Sequence, residues 1–231
     1  DISYSITLDI DWAPDIAISY CLDIFDKYGV KALFFATHHT DLNQEILNRG
    51  HQLGIHPNFY KGSSHGENYR QVMDFCMNLV PEAKSIRTHG LYQSSNLFEE
   101  IFGSYRQLKI DLSLFMHRSP FVHEIIWELN DVQFKRFLYN WEDDVEFKNK
   151  RYEGEENMFF GKYTIFNFHP IHVALNSSDG TEYKKLKNEN NNRLSSIHKK
   201  ELTRYVNHGD GIESFLNKIL NSDAKLIEIK V

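Results

Sequence analysis

Thr7-Leu8-Asp9-Ile10-Asp11-Trp12 closes an apolar run near the start of the chain and sets two carboxylates one residue apart. Read as the end of a strand, the run alternates faces, so Asp9 and Asp11 point the same way. Strand C-termini are where α/β folds place their chemistry. Two like charges that close cost free energy unless a cation or a shared proton separates them. The plainer reading has one aspartate capping the next turn and the other hydrated. The residues downstream decide between the two.

Outward from that strand (residues 5–10), strands and helices alternate. Residues 15–28 carry Ile16, Tyr20, Cys21, Ile24 and Tyr28 at helical spacing and stop at Gly29. Residues 31–36, 52–55, 85–87, 108–112 and 163–168 read as apolar strands. Between them, residues 43–49 read as a short helix, Tyr69 to Val80 carry a helical stripe, and Leu97, Phe98, Ile101 and Phe102 mark another helix. Residues 119–156 read as extended segments. The polar stretch 176–196 reads as a long loop or lid. Asp210 and Glu213 read as a capping box opening a helix through Leu220, and residues 226–231 read as a last strand. Alternation of this kind predicts one α/β domain over residues 1–231, built on a mainly parallel sheet, open or closed into a barrel.

The chain has 231 residues, 41% of them hydrophobic, which suits one sizeable core rather than disorder. A net charge of −6, with no run of Lys or Arg, argues against a nucleic-acid partner. No apolar span is long enough for a membrane helix. Cys21 and Cys76 lie on apolar helix faces and read as buried thiols, which fits a reducing compartment.

Polar residues recur just past the strands, in Gly54-Ile55-His56-Pro57, Arg87-Thr88-His89 and His169-Pro170-Ile171-His172, and Asp111 sits late in the strand 108–112. A lone histidine after a strand is usually a loop residue. Several at successive strand ends would gather on one rim of a βα-built domain and form a pocket. Taken in order, these stretches resemble the polysaccharide deacetylases of carbohydrate esterase family four. Thr7-Leu8-Asp9-Ile10-Asp11 resembles that family's opening Thr-Phe-Asp-Asp-Gly with one residue inserted. Gly50-His51-Gln52-Leu53-Gly54-Ile55-His56 is similar to its Gly-His-Glu-Ile-Gly-Asn-His. Arg87-Thr88-His89-Gly90 is similar to its arginine motif, and Ile165-Phe166-Asn167-Phe168-His169 to its late strand ending in histidine.

The resemblance implies a distorted, incomplete (β/α) barrel and a metal-dependent deacetylase of the branch tied to surface-polysaccharide biosynthesis. It implies one divalent ion, zinc first, held by Asp11 and His56. The family's second metal histidine falls where this chain has Tyr60, so His65, in the same loop, is the candidate third ligand. Asp9 would be the base, Arg87 its bidentate partner, and His169 the general acid. His51 would be structural. Trp12, His89, Tyr92, Trp141, Asp144 and His172 are candidates for lining a sugar site, and Asp111 for orienting His169. The Asp143-Asp144 pair otherwise reads as a hydrated turn. The implied substrate is an N-acetylated sugar of a surface polysaccharide or its precursor, met on the cytoplasmic side. A metal-dependent C–N hydrolase acting on a small non-sugar amide, or a carbohydrate-binding protein with a degraded metal site, are the alternatives.

Overall fold

Six of the seven residues of β1 (Ser3–Asp9) are buried, because elements cover both of its faces. Tyr4, Ile6 and Leu8 point outward into a helix-covered core, while Ser5, Thr7 and Asp9 point the other way. In this computed structural model, which describes residues 1–147 and 158–230, β1 runs parallel to β2 (Leu33–Ala36), to β9 (Tyr163–Phe168) and briefly to β10 (Lys225–Leu226). From β2 the parallel order continues through β3 (Gln52–Ile55), β4 (Ser85–Ile86) and β5 (Ile110–Phe115) to β7 (Val132–Tyr139). The antiparallel β6 (Glu124–Leu129) lies outside β7 as a hairpin partner.

One segment bends this sheet into a barrel. β7 pairs with β5, and after Asn140 the chain enters β8 (Trp141–Glu142), which pairs with β9. Asn140 bridges the break: its side-chain oxygen accepts from Ile165 N–H at 2.9 Å, and its own N–H donates to Ile165 O at 3.3 Å. The ring is therefore distorted and incompletely laddered, as expected.

The helices α1 (Asp15–Tyr28), α2 (Leu42–Asn48), α3 (Tyr69–Leu79), α4 (Ser95–Ser104), α6 (Pro170–Leu175) and the helix Ile212–Leu220 pack outside. A smaller cluster fills the interior with Leu33, Phe35, Leu112, Phe137, Tyr139 and Ile165. Consecutive Phe34 and Phe35 thus serve the outer and inner cores, as a period of two requires.

Three expectations change. Residues 176–196 are not a loop: α7 (Thr181–Glu189) and a 3₁₀ turn, Leu194–Ser196, occupy them. The capping box at Asp210 and Glu213 does not form. Asn176 Oδ1 accepts instead from Ser214 N–H at 3.2 Å, and Glu213 takes the Tyr20 hydroxyl at 2.6 Å. The last strand shrinks to β10. The extended reading of 119–156 holds for β6, β7 and β8, which α5 (Asp143–Glu146) follows; residues 148–157 and Val231 lie outside the described residues.

His51 is structural in this geometry. Its Nδ1 accepts from Ala32 N–H at 3.1 Å, and its ring packs against Phe25 and Phe34. Burial, with Lys31 and Arg49 adding to it, pushes its pKa down to about 4. The unfolded chain then binds this proton first, so stability is full above ~6.5 and is lost as the pH falls towards 4. In acid-unfolding series, His51→Gln should flatten that slope between pH 6.5 and 4; an unchanged slope would assign it to other groups.

Candidate active site

The buried centre is Arg87, just past β4 and fully enclosed. Its guanidinium lies between the rings of Phe35 and Tyr139, 4.7 and 4.2 Å from their centroids. Nε donates to Leu112 O at 3.0 Å. Nη1 lies within hydrogen-bonding reach of Thr7 Oγ1 (3.0 Å), Asp9 Oδ1 (3.0 Å) and Asn167 Oδ1 (2.5 Å). The bidentate Arg87–Asp9 pair does not form, since Nη2 has no hydrogen-bond partner among the described residues. Asn167 Nδ2 donates to the other Asp9 oxygen at 2.9 Å. Burial alone would raise the pKa of Asp9; Arg87, His56 and His169 outweigh it and hold the carboxyl below its ordinary value.

Asp11 reaches the same pocket by a different route from the one its spacing suggests. β1 ends at Asp9, and Asp11 and Trp12 take φ values of 44° and 53°. Ala13 N–H closes the turn on Ile10 O at 2.8 Å, and Trp12 N–H donates to Thr37 Oγ1 at 2.9 Å. Two positive φ values at the centre are the signature of a primed turn, costly for a bulky residue such as Trp. Strain of this kind collects at functional sites.

Asp11, His56 and His89 form a tight triangle. His56 Nε2 is 3.1 Å from Asp11 Oδ1, His89 Nδ1 is 3.2 Å from the same oxygen, and the two nitrogens are 3.3 Å apart. His56 Nδ1–H donates to Arg87 O at 2.7 Å, which fixes the ring with Nε2 facing the triangle. Burial would raise the Asp11 pKa, but hydrogen bonds from both imidazoles hold it well down. His56 shifts up: burial opposes this, and Asp9 and Asp11 outweigh burial.

His65 is not in the triangle, contrary to expectation. Its Nε2–H donates to Thr37 O at 2.7 Å, its Nδ1 accepts from Asn58 N–H at 3.1 Å, and its ring stacks on Phe75. Both nitrogens are engaged in bracing the loop after β3. Tyr60 is half-exposed, and its hydroxyl donates to Gly90 O at 3.2 Å.

Across the pocket, His169 Nε2 lies 3.6 Å from Asp11 Oδ2. Its partner is Asp143, not Asp111. His169 Nδ1–H and backbone N–H donate to the two Asp143 oxygens, each at 2.7 Å. Burial disfavours the imidazolium, yet Asp143, with Asp11 and Asp144, lifts the His169 pKa well above its ordinary value. Asp111 serves Arg136 at 2.7 Å instead.

The resulting pocket, of about 130 Å³, is lined by Asp9, Asp11, His56, His89, His169 and Asp144 among others. Trp141 does not line it: it is 1% exposed and packs on Phe166, Phe168 and Phe215, so it belongs to the core. His172 is buried behind His169, with Nδ1 at 3.1 Å from Ser177 Oγ; burial and the His169 charge push its pKa well down. Trp12 packs edge-on to His89, and Tyr92 stands outside the pocket, half-exposed. Sequence reasoning missed Asn167 and the role of Asp143. Asn167 was within reach, because it lies in β9 two residues before His169, which directly follows the strand.

A parallel barrel carrying carboxylates and imidazoles on its C-terminal rim is the architecture of carbohydrate esterase family four. The profile of the WbmS-like polysaccharide deacetylases matches residues 6–187, and the chain belongs to that family. A Bordetella bronchiseptica structure, described as a polysaccharide deacetylase involved in O-antigen biosynthesis, shares 29% identity. The match covers 94% of this chain and 89% of that one, with a TM-score of 0.79. A family-four pseudoenzyme from Bacillus anthracis is similar in fold alone: 12% identity, 98% and 63% coverage, TM-score 0.50. No curated protein sequence matches.

Proposed function

We propose that this protein is a metal-dependent amide hydrolase that removes the acetyl group from an N-acetylated sugar of a surface polysaccharide or its precursor. The observation that carries the reading is the Asp11–His56–His89 triangle, with Asp9 and His169 on the same pocket. Its edges of 3.1 to 3.3 Å suit the donor set of one zinc ion. Ligands at ~2.0–2.1 Å in a tetrahedron lie about 3.3 Å apart. A carboxylate and two neutral imidazoles leave a fourth position open, the pattern of catalytic zinc sites.

A divalent ion in this triangle would polarise the amide carbonyl and lower the pKa of water. The chain's own groups supply the rest. Asp9, kept ionised and fixed by Arg87 and Asn167, retains lone pairs beyond those two bonds and accepts the proton of the attacking water. His169 gives the Nε2 proton to the leaving nitrogen as the C–N bond breaks. The Nδ1–H bond to Asp143 fixes the ring and its tautomer. Acetate and a free amine result.

No helix among the described residues is long and apolar enough to cross a membrane. Cys21 and Cys76 are buried free thiols, which supports a cytoplasmic setting for the reaction.

The test is elemental analysis of the purified protein together with acetate release from N-acetylated sugars. One zinc per chain and chelator-sensitive release are expected; release unaffected by metal removal would sink the reading. Asp9→Asn should keep the metal and lose about 10²–10⁴-fold in turnover. Undiminished turnover in that variant would move the base role elsewhere.

A further inference from the structure

Glu142-Asp143-Asp144 sets three carboxylates in a row where β8 passes into α5. A strand's period of two sends Trp141 into the outer core and Glu142 to the inside of the barrel. Glu142 and Asp144 line the pocket, while Asp143 stands behind it on His169. The deacetylase chemistry above uses Asp143 and gives the other two no part. Glu142 Oε2 accepts from the Tyr139 hydroxyl at 2.5 Å. Burial and the neighbouring Asp144 carboxylate push the Glu142 pKa up, as happens to a buried negative charge that lacks a cation.

Glu142, Asp144 and His169 each bring one ligand atom to within 4.8 Å of the others. His169 has the build of a metal ligand as well as of a proton donor. Its Nδ1–H is held by Asp143, and a carboxylate behind an imidazole is the usual support of a metal-bound histidine. The residue is 8% exposed, yet Nε2 makes no hydrogen bond among the described residues. Asp11 Oδ2 lies 3.6 Å from Nε2, past hydrogen-bonding range but close to the ~3.3 Å between two ligands of one zinc ion. Asp11 thus divides its oxygens: Oδ1 faces His56 and His89, and Oδ2 faces His169. A carboxylate so placed can bridge two cations. Charge favours a second one. Asp9, Asp11, Glu142 and Asp144 line the pocket with Asp143 behind them, and Arg87 with one dication in the triangle balances only part of that.

We propose that Glu142, Asp144 and His169, with Asp11 Oδ2 as the bridge, form a second divalent-cation site, and that zinc bound there shuts the enzyme off. The site stands on geometry; its effect on activity rests on the deacetylase reading above. It is the weaker of the two sites. The triangle's ligand atoms already stand 3.1 to 3.3 Å apart, whereas here the exposed Asp144 and the partly exposed Glu142 must be drawn together out of water. Occupancy stops the reaction because zinc replaces the Nε2 proton of His169, which goes to solvent. The ring then has no proton to give the leaving nitrogen.

The experiment titrates zinc into the metal-free full chain against a competing chelator. Acetate release from N-acetylglucosamine and from its β-1,4-linked pentamer is followed in parallel. Two zinc ions per chain should bind, the second at least about ten-fold more weakly than the first. Release should climb with the first equivalent and fall at least about ten-fold as the second site fills. Glu142→Gln should bind a single zinc with the first affinity kept, and whatever its own rate, that rate should no longer fall in excess zinc. Asp144→Asn, at an exposed position, should do the same. One zinc per chain at saturation, a second ion that survives both substitutions, or release that rises as the second ion binds would each overturn the proposal. Two ions, the second lost in both variants, without acetate release from either sugar would sink the hydrolase reading and the inhibition with it, and leave the second site standing.

Discussion

His89→Ala should strip the metal and the activity together, while His65→Ala should leave one metal per chain. The two histidines are the competing third ligands, and the geometry separates them. His89 Nδ1 points at Asp11 Oδ1 and His56 Nε2, whereas both nitrogens of His65 are committed to Thr37 O and Asn58 N–H. Even partners that only orient a ligand cost 10–100-fold in metal affinity when removed, so loss of a ligand should exceed ~100-fold. Asp11→Asn and His56→Ala should behave as His89→Ala does. The expected penalty in His65→Ala is to stability. It deletes two hydrogen bonds and the stack on Phe75, and leaves Asn58 N–H and Thr37 O without their present partner, at about 1–3 kcal/mol for an unsatisfied buried group. Competition against a zinc chelator, read with thermal melting, distinguishes these outcomes. Metal loss in His65→Ala with retention in His89→Ala would reverse the assignment.

The framework was legible in the sequence because β2 reads as an unbroken apolar run, β1 carries Tyr4, Ile6 and Leu8 at every second position, and β9 carries Ile165, Phe166 and Phe168. The residue at or just past each strand end, Asp9, His56, Arg87 and His169, could then be placed by counting. What failed was whatever depended on loops closing over distance. No spacing rule says that the turn at Gly90, rather than the longer loop to His65, swings back to the triangle. The available clue was the glycine directly after His89, able to take the φ of 60° that the turn requires. Asp143 looked like half of a hydrated acidic turn because its partner, His169, is 26 residues away, and the pairing of β8 with β9 after the Asn140 bridge brings them together. α7 escaped notice for another reason. Leu186 is its single buried residue, so no apolar stripe marks it as a helix. Its effect on the site is still real, since Tyr183 packs against His172, which in turn meets His169 edge to face.

Substituting His169 should separate difficult leaving groups from easy ones. An amide nitrogen leaves poorly unless it is protonated, and His169 is the imidazolium on the pocket wall, 3.6 Å from Asp11 and anchored through Asp143. His169→Ala should therefore cut hydrolysis of an N-acetylated sugar by about 10²–10⁴-fold. It should largely spare an activated aryl acetate, whose phenolate departs without a proton. His172 is the rival donor by sequence, but it is buried behind His169 and its pKa is pushed well down, so it is neutral where an acid is needed. Asp143→Asn gives a second reading of the same chemistry. It keeps the shape of the contact but removes the charge that lifts the His169 pKa, and the amide at that position can present a donor to His169 where the carboxylate only accepted. Amide hydrolysis should fall and its alkaline limb should move to lower pH, because the imidazolium then loses its proton sooner. The aryl ester should again be little affected. Equal losses on amide and ester in His169→Ala would assign the ring to substrate binding or to stabilising the oxyanion. Losses confined to the amide, with metal content unchanged, would fix it as the acid.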